Sequence, residues 1–394
     1  MNKKLFPILS AFLLLFSLIE KGQATETYRP ETSVAGFIQL PGSGRQVYNF
    51  NPGWRFFKGD IHGAESVDFD DRSWTIVSTP HTVELMPAEA SGCRNYQGPA
   101  WYRKHFVLPA ETKGKRVLIH FEAAMGKQVL YLNGKRIQEH VGGYLPFTLD
   151  LTTNGIQAGD SCLLAIFVDN SNDKSFPPGK PQYTLDFAYH GGIYRDVWMI
   201  AKSPVSITDP LDSQTVAGGG VFVHFDKISE KSAQVYVNTE LQNDNQHTET
   251  VTVETTLTDA DGKVIKRTSG KLSLKSGEKK IIRQQIEVKS PKLWSPDAPY
   301  LYKVQSRIKK GNQSIDGGIT RIGIRLAEFR GKDGFWLNGK PFVQLVGANR
   351  HQDFAYVGNA LPNSQQWRDA KRLRDAGCTI IRVAHYPQDP SFMD

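Results

Sequence analysis

Two short polar clusters near the carboxyl-terminal end of the chain carry residue types that can do chemistry. The first is Asn349-Arg350-His351 in "GANRHQD", and the second places Arg382 and His385 in "IRVAHYP". Neutral imidazoles can bind neighbouring hydroxyl groups, and a guanidinium can hold a nearby carboxyl group ionised. Each cluster follows an apolar stretch, and polar groups at the carboxyl ends of buried strands are typical of active sites. The pattern therefore predicts part of an active-site rim.

A strand, loop, helix and strand should position both clusters. We predict an apolar strand over Val343–Gly347, a polar loop over Ala348–Asn363, and a second buried strand over Thr379–Ala384. The helix between them lies in "NSQQWRDAKRLRDAG", with Asn363 or Ser364 as its cap. This order is the first βαβ part of a (β/α)8 TIM barrel. Such a barrel needs about 250 residues, so residues 326–394 would form an incomplete TIM-barrel domain.

The preceding residues are predicted to be mainly β, which makes the whole chain a multidomain protein. Residues 45–203 contain short apolar strands and an Asn133-Gly134 hairpin signal, a pattern that favours a jelly-roll β-sandwich. Residues 204–325 alternate with period two and carry an Asp261-Gly262 turn. About seven strands without a cysteine pair favour an immunoglobulin-like β-sandwich of the disulfide-free kind.

The amino terminus predicts export. Lys3 and Lys4 precede an apolar run over Leu5–Ile19, which is typical of a signal peptide over residues 1–24. An uncleaved membrane anchor is the weaker alternative, because the run is short for a membrane span. Residues 25–44 would form a polar leader. We therefore expect a periplasmic or secreted protein with no membrane association after cleavage.

Charge and cysteine content exclude several classes of protein. The net charge is +8, but basic and acidic residues are interleaved along the chain, which argues against a nucleic-acid partner. Only three cysteines occur, Cys93, Cys162 and Cys378. This odd, sparse set is not a disulfide framework; a Cys93–Cys162 bridge is conceivable, and buried thiols are favoured. No Cys/His spacing predicts a zinc site.

Four ordered motifs resemble glycoside hydrolase family 2, which includes β-galactosidases, β-glucuronidases and β-mannosidases. "GANRHQD" and "IRVAHYP" are similar to its first two barrel strands. "GGIYRDVW" (Gly191–Trp198) is similar to the last strand of its sugar-binding jelly roll, and "LWSPDAPYLY" (Leu293–Tyr302) to a stretch of its sandwich domain. The resemblance extends over residues 45–394 and favours the β-galactosidase branch, because "NRHQD" differs from the glucuronidase pattern.

The resemblance also implies roles for individual residues. Five are expected to bind the substrate, namely Asp186, Asn349, Arg350, His351 and His385. Arg382 matches the arginine that supports the nucleophilic carboxylate. Two simpler alternatives stay open: Asp186 caps a turn, and Tyr386 only packs. No cofactor is evident and no metal ligand is assigned, although the resemblance allows a divalent cation or sodium.

The resemblance implies retaining hydrolysis of terminal β-D-galactosides, or of a related β-glycoside, by the full-length enzyme. Retention needs two carboxylates about 5 Å apart, and both lie on later barrel strands in this family. The acid/base and the nucleophilic glutamate are therefore expected beyond Asp394, and Asp353, Asp369 and Asp389 match neither position.

We accordingly expect no turnover by the 394-residue chain. Its partners would be a carbohydrate substrate and, at full length, further copies of itself. The alternatives to an enzyme portion are a stand-alone carbohydrate-binding protein and an adhesion protein built of β-sandwiches.

Overall fold

The computed structural model describes residues 27–32, 39–87, 95–216, 218–342 and 344–394. The predicted signal peptide lies outside the described residues, and so does Cys93 with its conceivable pairing to Cys162. Cys162 itself carries a free, buried thiol, and burial raises the pKa of this thiol to about 12. The prediction of a buried thiol is therefore confirmed for Cys162.

The first sandwich packs two antiparallel sheets face to face. Its strands within the described residues are β1 (Glu31–Thr32), β2 (Gln46–Asn49), β3 (Trp54–Lys58), β4 (Thr75–Val77), β5 (Pro99–Val107), β6 (Arg116–Phe121), β7 (Lys127–Leu132), β8 (Lys135–Val141), β9 (Phe147–Asp150), β10 (Ser161–Asp169) and β11 (Val197–Lys202). One sheet has the order β1-β2-β11-β6-β9, and the other has the order β4-β3-β5-β10-β7-β8. The predicted jelly-roll sandwich is confirmed.

Aromatic side chains fill this sandwich. Trp54 and Tyr102 are fully buried in its main core, and Trp74 and Trp101 are buried in a second cluster on the outer side of the six-stranded sheet. These four aromatics therefore pack the core of the sandwich. The predicted hairpin is also present, because Asn133 and Gly134 have φ angles of 49° and 80° between β7 and β8.

The second sandwich also consists of antiparallel sheets. Its strands are β12 (Val205–Ile207), β13 (Val221–Asp226), β14 (Ser232–Asn243), β15 (Glu249–Thr258), β16 (Val264–Leu274), β17 (Lys279–Lys289), β18 (Tyr302–Lys310) and β19 (Gln313–Ile322), with a short helix α1 (Pro210–Ser213) after β12. In one sheet β14 pairs with β12, β13 and β17, and the other has the order β16-β15-β18-β19. The immunoglobulin-like prediction is confirmed.

The third unit begins with a small sheet and continues into a parallel strand pair. Its elements are β20 (Ala327–Phe329), β21 (Phe335–Leu337), β22 (Lys340–Pro341), β23 (Gly347–Arg350), α2 (Asn363–Asp375), β24 (Ile380–Val383) and α3 (Pro390–Met393). Strands β23 and β24 are parallel and α2 connects them, which confirms the predicted βαβ order. Among the described residues, no helix is long and apolar enough to cross a membrane.

Two details of the third unit were predicted wrongly. The first barrel strand is Gly347–Arg350, whereas the prediction was Val343–Gly347, whose first residue lies outside the described residues. Neither Asn363 nor Ser364 caps α2, because Pro362 occupies the cap position without a side-chain hydrogen bond. The Asn363 side chain instead donates to Asp196 in the first sandwich, at 2.8 Å. The local sequence predicts that Asn363 caps the helix, but its side chain is engaged in this tertiary contact instead.

Candidate active site

The parallel strands β23 and β24 bring the two polar sequence clusters together. Their register pairs Asn349 with Arg382 directly across the two strands. The Arg382 Nη1 atom donates to the Asn349 Oδ1 atom at 3.4 Å, and both side chains are exposed. Residues separated by 33 positions in sequence thus present an amide and a guanidinium side by side at the strand ends.

The two histidines that follow these strands lie against each other. The ring centroids of His351 and His385 are 5.4 Å apart, with the rings at 80°. A third ring comes from the first sandwich: Phe187 stacks on His351 with a centroid distance of 5.2 Å and meets the edge of His385 at 5.6 Å. We call Phe187, Asn349, His351, Arg382 and His385 the rim cluster. It combines one apolar face with several polar groups, as a sugar ring requires.

Tyr386 supports the rim cluster from beneath. Its ring stacks on Tyr144 of the first sandwich, with centroids 4.3 Å apart and planes at 3°. Its hydroxyl lies 3.3 Å from the His351 Nδ1 atom and accepts from the Gln352 backbone N–H at 3.3 Å. Burial raises the pKa of this phenol above its ordinary value, so it stays protonated at neutral pH. Tyr386 therefore packs and also fixes the orientation of His351.

Electrostatics keep the His351 imidazole neutral near pH 7. Burial lowers its pKa, and the neighbouring His385 lowers it further. Asp186 acts in the opposite direction, so its carboxylate lies within electrostatic reach of His351. A neutral imidazole can both donate and accept a hydrogen bond, which suits it to a hydroxyl group. Asp186 is exposed, and no hydrogen bond to it is found within the described part of the chain, so the turn-cap alternative gains no support.

Arg350 lies apart from the rim cluster, contrary to its predicted substrate contact. Its side chain is only 6% exposed, because successive strand residues point to opposite faces. The Nη2 atom donates to Gln366 at 2.7 Å and to Asp369 at 2.9 Å, and the Nη1 atom donates to Gln388. Arg350 therefore joins β23 to α2 and to the loop before α3 and is not placed to contact a substrate.

Two carboxylates that sequence analysis considered are occupied by structural contacts. Asp369 pairs with Arg350, and Asp389 is 1% exposed and accepts from the Ser391 backbone N–H at 2.8 Å at the start of α3. Within the described ranges no group of three His, Cys, Asp or Glu side chains could hold a metal ion. The rim cluster can therefore bind and orient a ligand, and it offers no acid and nucleophile pair of its own.

Asp394, the last residue of the sequence, lies outside the rim cluster and takes no part in the candidate site. Its exposed carboxylate pairs with Arg321 of the second sandwich, and its backbone N–H donates to the Pro390 carbonyl oxygen at 3.2 Å. Asp394 therefore ties α3 to strand β19 and is not a catalytic group. The expectation that the acid/base and the nucleophile lie beyond Asp394 stays a prediction, because it concerns residues that this sequence does not contain.

Sequence reasoning missed the two aromatic contributions of the first sandwich. Phe187 and Tyr144 are 7% and 8% exposed, so composition alone gives no reason to separate them from core residues. The sequence offered one signal for Phe187. It directly follows Asp186, which the family resemblance already predicts to bind the substrate. Tyr144 has no such signal, because its partner Tyr386 lies 242 residues further along the chain.

Comparison with known proteins agrees with this geometry. Three models of one family match successive parts of the chain: the family 2 glycosyl hydrolase sugar binding domain over residues 64–204, the family 2 domain over residues 219–325, and the family 2 TIM barrel domain over residues 329–394. The chain belongs to glycoside hydrolase family 2. This assignment accounts for the order of the two sandwiches and the parallel strand pair.

Curated relatives of this family 2 chain carry two activities in their names. A β-galactosidase of Thermoanaerobacter pseudethanolicus is 35% identical over 89% of this chain and 45% of its own length. A β-glucuronidase of Formosa agariphila is 34% identical over 90% of this chain and 37% of its own length. A solved family 2 β-glucuronidase superposes with a TM-score of 0.80 and 32% identity, over 90% of this chain and 38% of that one. The chain thus spans less than half the length of these three proteins.

Proposed function

We propose that this chain supplies the sugar-binding side of a family 2 β-glycosidase that hydrolyses terminal β-D-galactosides, or a related β-glycoside such as a β-glucuronide, with retention. The observation that carries the proposal is the rim cluster, where Phe187 of the first sandwich closes against His351 and His385 at the barrel strand ends. An apolar ring face, two imidazoles and an amide can bind the alternating apolar and hydroxyl surfaces of a pyranose.

Each residue has a distinct part in the proposed reaction. His351 and His385 bind ring hydroxyls through their imidazole nitrogens, and Phe187 packs against the apolar face of the sugar. Arg382 is exposed beside Asn349 and would hold the nucleophilic carboxylate ionised, since a nearby guanidinium lowers the pKa of a carboxyl group. Bond cleavage itself needs an acid and a nucleophile about 5 Å apart, which the described residues do not present.

A neutral galactoside is the favoured substrate over a glucuronide. The relatives include both a β-galactosidase and a β-glucuronidase, so kinship does not separate the two substrates. Asp186 and Arg382, which carry opposite charges, both lie within electrostatic reach of His351, so charge does not separate the two sugars either. The "NRHQD" sequence at Asn349–Asp353 favours the galactosidase branch by resemblance.

Titration of the 394-residue chain with two small sugars tests this proposal. We expect methyl β-D-galactoside to bind more tightly than methyl β-D-glucuronide. His351→Ala and His385→Ala should each weaken galactoside binding about fivefold, because one hydrogen bond to a hydroxyl is worth about 1 kcal/mol. His62→Ala, an exposed histidine of the first sandwich, is the control and should bind as the unmodified chain does.

The outcomes separate the proposal from its rival. Galactoside affinity that survives both rim substitutions would favour a stand-alone carbohydrate-binding protein that uses another surface. Tighter binding of the glucuronide would move the substrate assignment to that sugar and leave the site assignment intact. If neither sugar binds at millimolar concentration, the result would contradict the proposed function of the rim cluster.

The same polypeptide is expected to bind without hydrolysis. Incubation of purified, mass-verified 394-residue protein with p-nitrophenyl β-D-galactoside should release no more nitrophenol than buffer does. The physical reason is that the described residues place no acid and nucleophile pair at the rim cluster, which can therefore bind and orient a sugar. Release that follows the protein through purification and is lost in His385→Ala would contradict this expectation.

We also propose that the protein is exported after signal-peptide cleavage. The basic and apolar sequence of residues 1–24 supports this proposal. Expression in a bacterial host should give a periplasmic or secreted product whose mass corresponds to a chain that begins at Thr25. Recovery of the intact chain from the membrane fraction would favour the uncleaved anchor instead.

A further inference from the structure

Arg195 of the first sandwich contacts both loops that carry the rim histidines. Its side chain is only 3% exposed. The Nη2 atom donates to the Gln352 Oε1 atom at 2.8 Å and to the Pro387 carbonyl oxygen at 2.7 Å. Gln352 directly follows His351, and Pro387 comes two residues after His385. One guanidinium nitrogen thus ties together two loops that belong to different barrel strands.

The neighbouring residue makes a second tie to the barrel. The Asp196 Oδ2 atom accepts from the Asn363 side chain at 2.8 Å, and its Oδ1 atom accepts from the Asn51 side chain at 2.9 Å. Asn363 is the first residue of α2, and Asn51 belongs to the first sandwich. Asp196 therefore anchors the helix, whereas Arg195 anchors the loops that carry the histidines. The dipeptide stands immediately before β11 in the "GGIYRDVW" motif.

We propose that Arg195 is a positioning residue, which sets the distance and angle between His351 and His385 by holding their loops to the first sandwich. The inference rests on the proposed function of the rim cluster as a sugar site. It extends that function, because it makes the first sandwich responsible for the geometry of the barrel residues. Arg195 lies more than 150 positions before Gln352 in the sequence, and it sets the geometry of the two imidazoles.

The chemistry of the contacts requires an arginine. Gln352 is 0% exposed, so loss of its donor would leave a buried amide oxygen unpaired. A lysine carries a compact ammonium group on a flexible four-carbon chain, so it would hold the two acceptors less rigidly than the preorganised guanidinium does. Without Arg195, the His385 loop would keep the short β23–β24 ladder, the Arg350–Gln388 hydrogen bond and the ring contacts of His385 and Tyr386, but it would lose the bond that holds the Pro387 carbonyl group beside Gln352. A displacement of about 1 Å at such a site can cost up to a hundredfold in function.

Proton-detected NMR titration of the imidazoles tests the proposal without any sugar. In the full chain, burial and the nearby His385 lower the pKa of His351. In Arg195→Met and Arg195→Lys the loops should separate, and the His351 midpoint should rise towards the ordinary histidine value of about 6.5. Galactoside affinity should fall at least about tenfold in both variants.

Arg103→Met is the matched control. Arg103 is also fully buried in the first sandwich, but it bonds to Asp71 and to backbone carbonyls of that sandwich alone. This variant tests whether general loosening of the sandwich is enough to change the rim cluster, and its His351 midpoint should match that of the unmodified chain. If Arg195→Met does not fold, Arg195→Lys decides, because it keeps the positive charge and loses the rigid, planar guanidinium.

The possible results separate this inference from the proposed function. An unchanged His351 midpoint in a folded Arg195 variant would overturn the positioning role, whatever the sugar does. An equal shift in Arg103→Met would overturn it too, because any buried arginine of the sandwich would then have the same effect. A shifted midpoint confined to the Arg195 variants, in a protein that binds neither sugar, would support the positioning role and contradict the proposed sugar site.

Discussion

Replacement of Arg350 by Met is expected to lower the local free energy of unfolding of the β23–α2–β24 unit by about 3 kcal/mol. The buried guanidinium bonds to Gln366, Asp369 and Gln388 and lies over the Phe392 ring, with its Cζ atom 4.4 Å from the centroid. Its removal leaves the Asp369 carboxylate without its charge partner and two buried amides without their donor. The Asp369 side chain is 21% exposed, and hydration of this carboxylate limits the loss to the lower end of the usual range.

Native-state hydrogen exchange of the α2 amides measures this change directly, because it reports local opening in a protein of several domains. Arg368→Met is the control on the same helix. Arg368 is exposed, and its hydrogen bond to Ser364 is long, at 3.5 Å, so its loss should change exchange by less than about 0.5 kcal/mol. Equal exchange in the two variants would show that Arg350 is not the centre of this unit.

Replacement of Glu122 by Gln is expected to stabilise the first sandwich by about 4 kcal/mol at pH 8. Glu122 is half-buried at the junction with the third unit, and it accepts a hydrogen bond from the Trp198 indole at 3.0 Å. Burial raises the pKa of its carboxyl group to about 8, with further contributions from the nearby Asp196 and Asp389 carboxylates. A glutamine keeps the acceptor for Trp198 and carries no charge.

The sign of the pH dependence follows from the two states of the chain. The unfolded chain ionises Glu122 near 4.5, whereas the folded protein holds the proton until about pH 8. The stability associated with the neutral carboxyl group is therefore complete below pH 4.5 and is lost progressively as the pH rises to about 8. The Glu122→Gln variant should match the unmodified chain at pH 4.5 and exceed it increasingly above that pH.

Denaturant unfolding at pH 4.5, 6 and 8, followed by Trp fluorescence, measures the difference. Glu139→Gln is the control, because Glu139 is exposed in the same sandwich and makes only surface ion pairs with Lys127 and Arg136. This variant should stay within about 1 kcal/mol of the unmodified chain at every pH. A Glu122→Gln advantage that does not grow between pH 4.5 and pH 8 would contradict the raised pKa.

Local signals in the sequence were sufficient for the architecture. The dipeptides Asn133-Gly134 and Asn338-Gly339 lie in hairpins, with positive φ angles at both residues of each, because few other residue pairs adopt that turn. Alternation of apolar and polar residues predicted the strands of both sandwiches. The position of β23 was wrong by four residues, because its register depends on its partner. Gly347 pairs with Ile380, and the apolar residues before Gly347 gave no sign of that pairing.

The site was predictable only in part, for the same reason. Asn349 and Arg382 lie near the carboxyl ends of β23 and β24, and His351 and His385 follow these two neighbouring strands, so motif spacing brings them together. Phe187 reaches the site across more than 160 residues and Arg195 across a similar distance, and no local pattern encodes such contacts. The burial of Arg350 follows from strand alternation once β23 is placed, and the misplaced strand concealed it.

A crystal structure of the 394-residue chain with methyl β-D-galactoside tests the central claim most directly. The sugar should pack against Phe187, with hydroxyl oxygens about 3 Å from ring nitrogens of His351 and His385. Sugar bound on another surface while the rim cluster holds only solvent would contradict the assignment of this cluster as the sugar site.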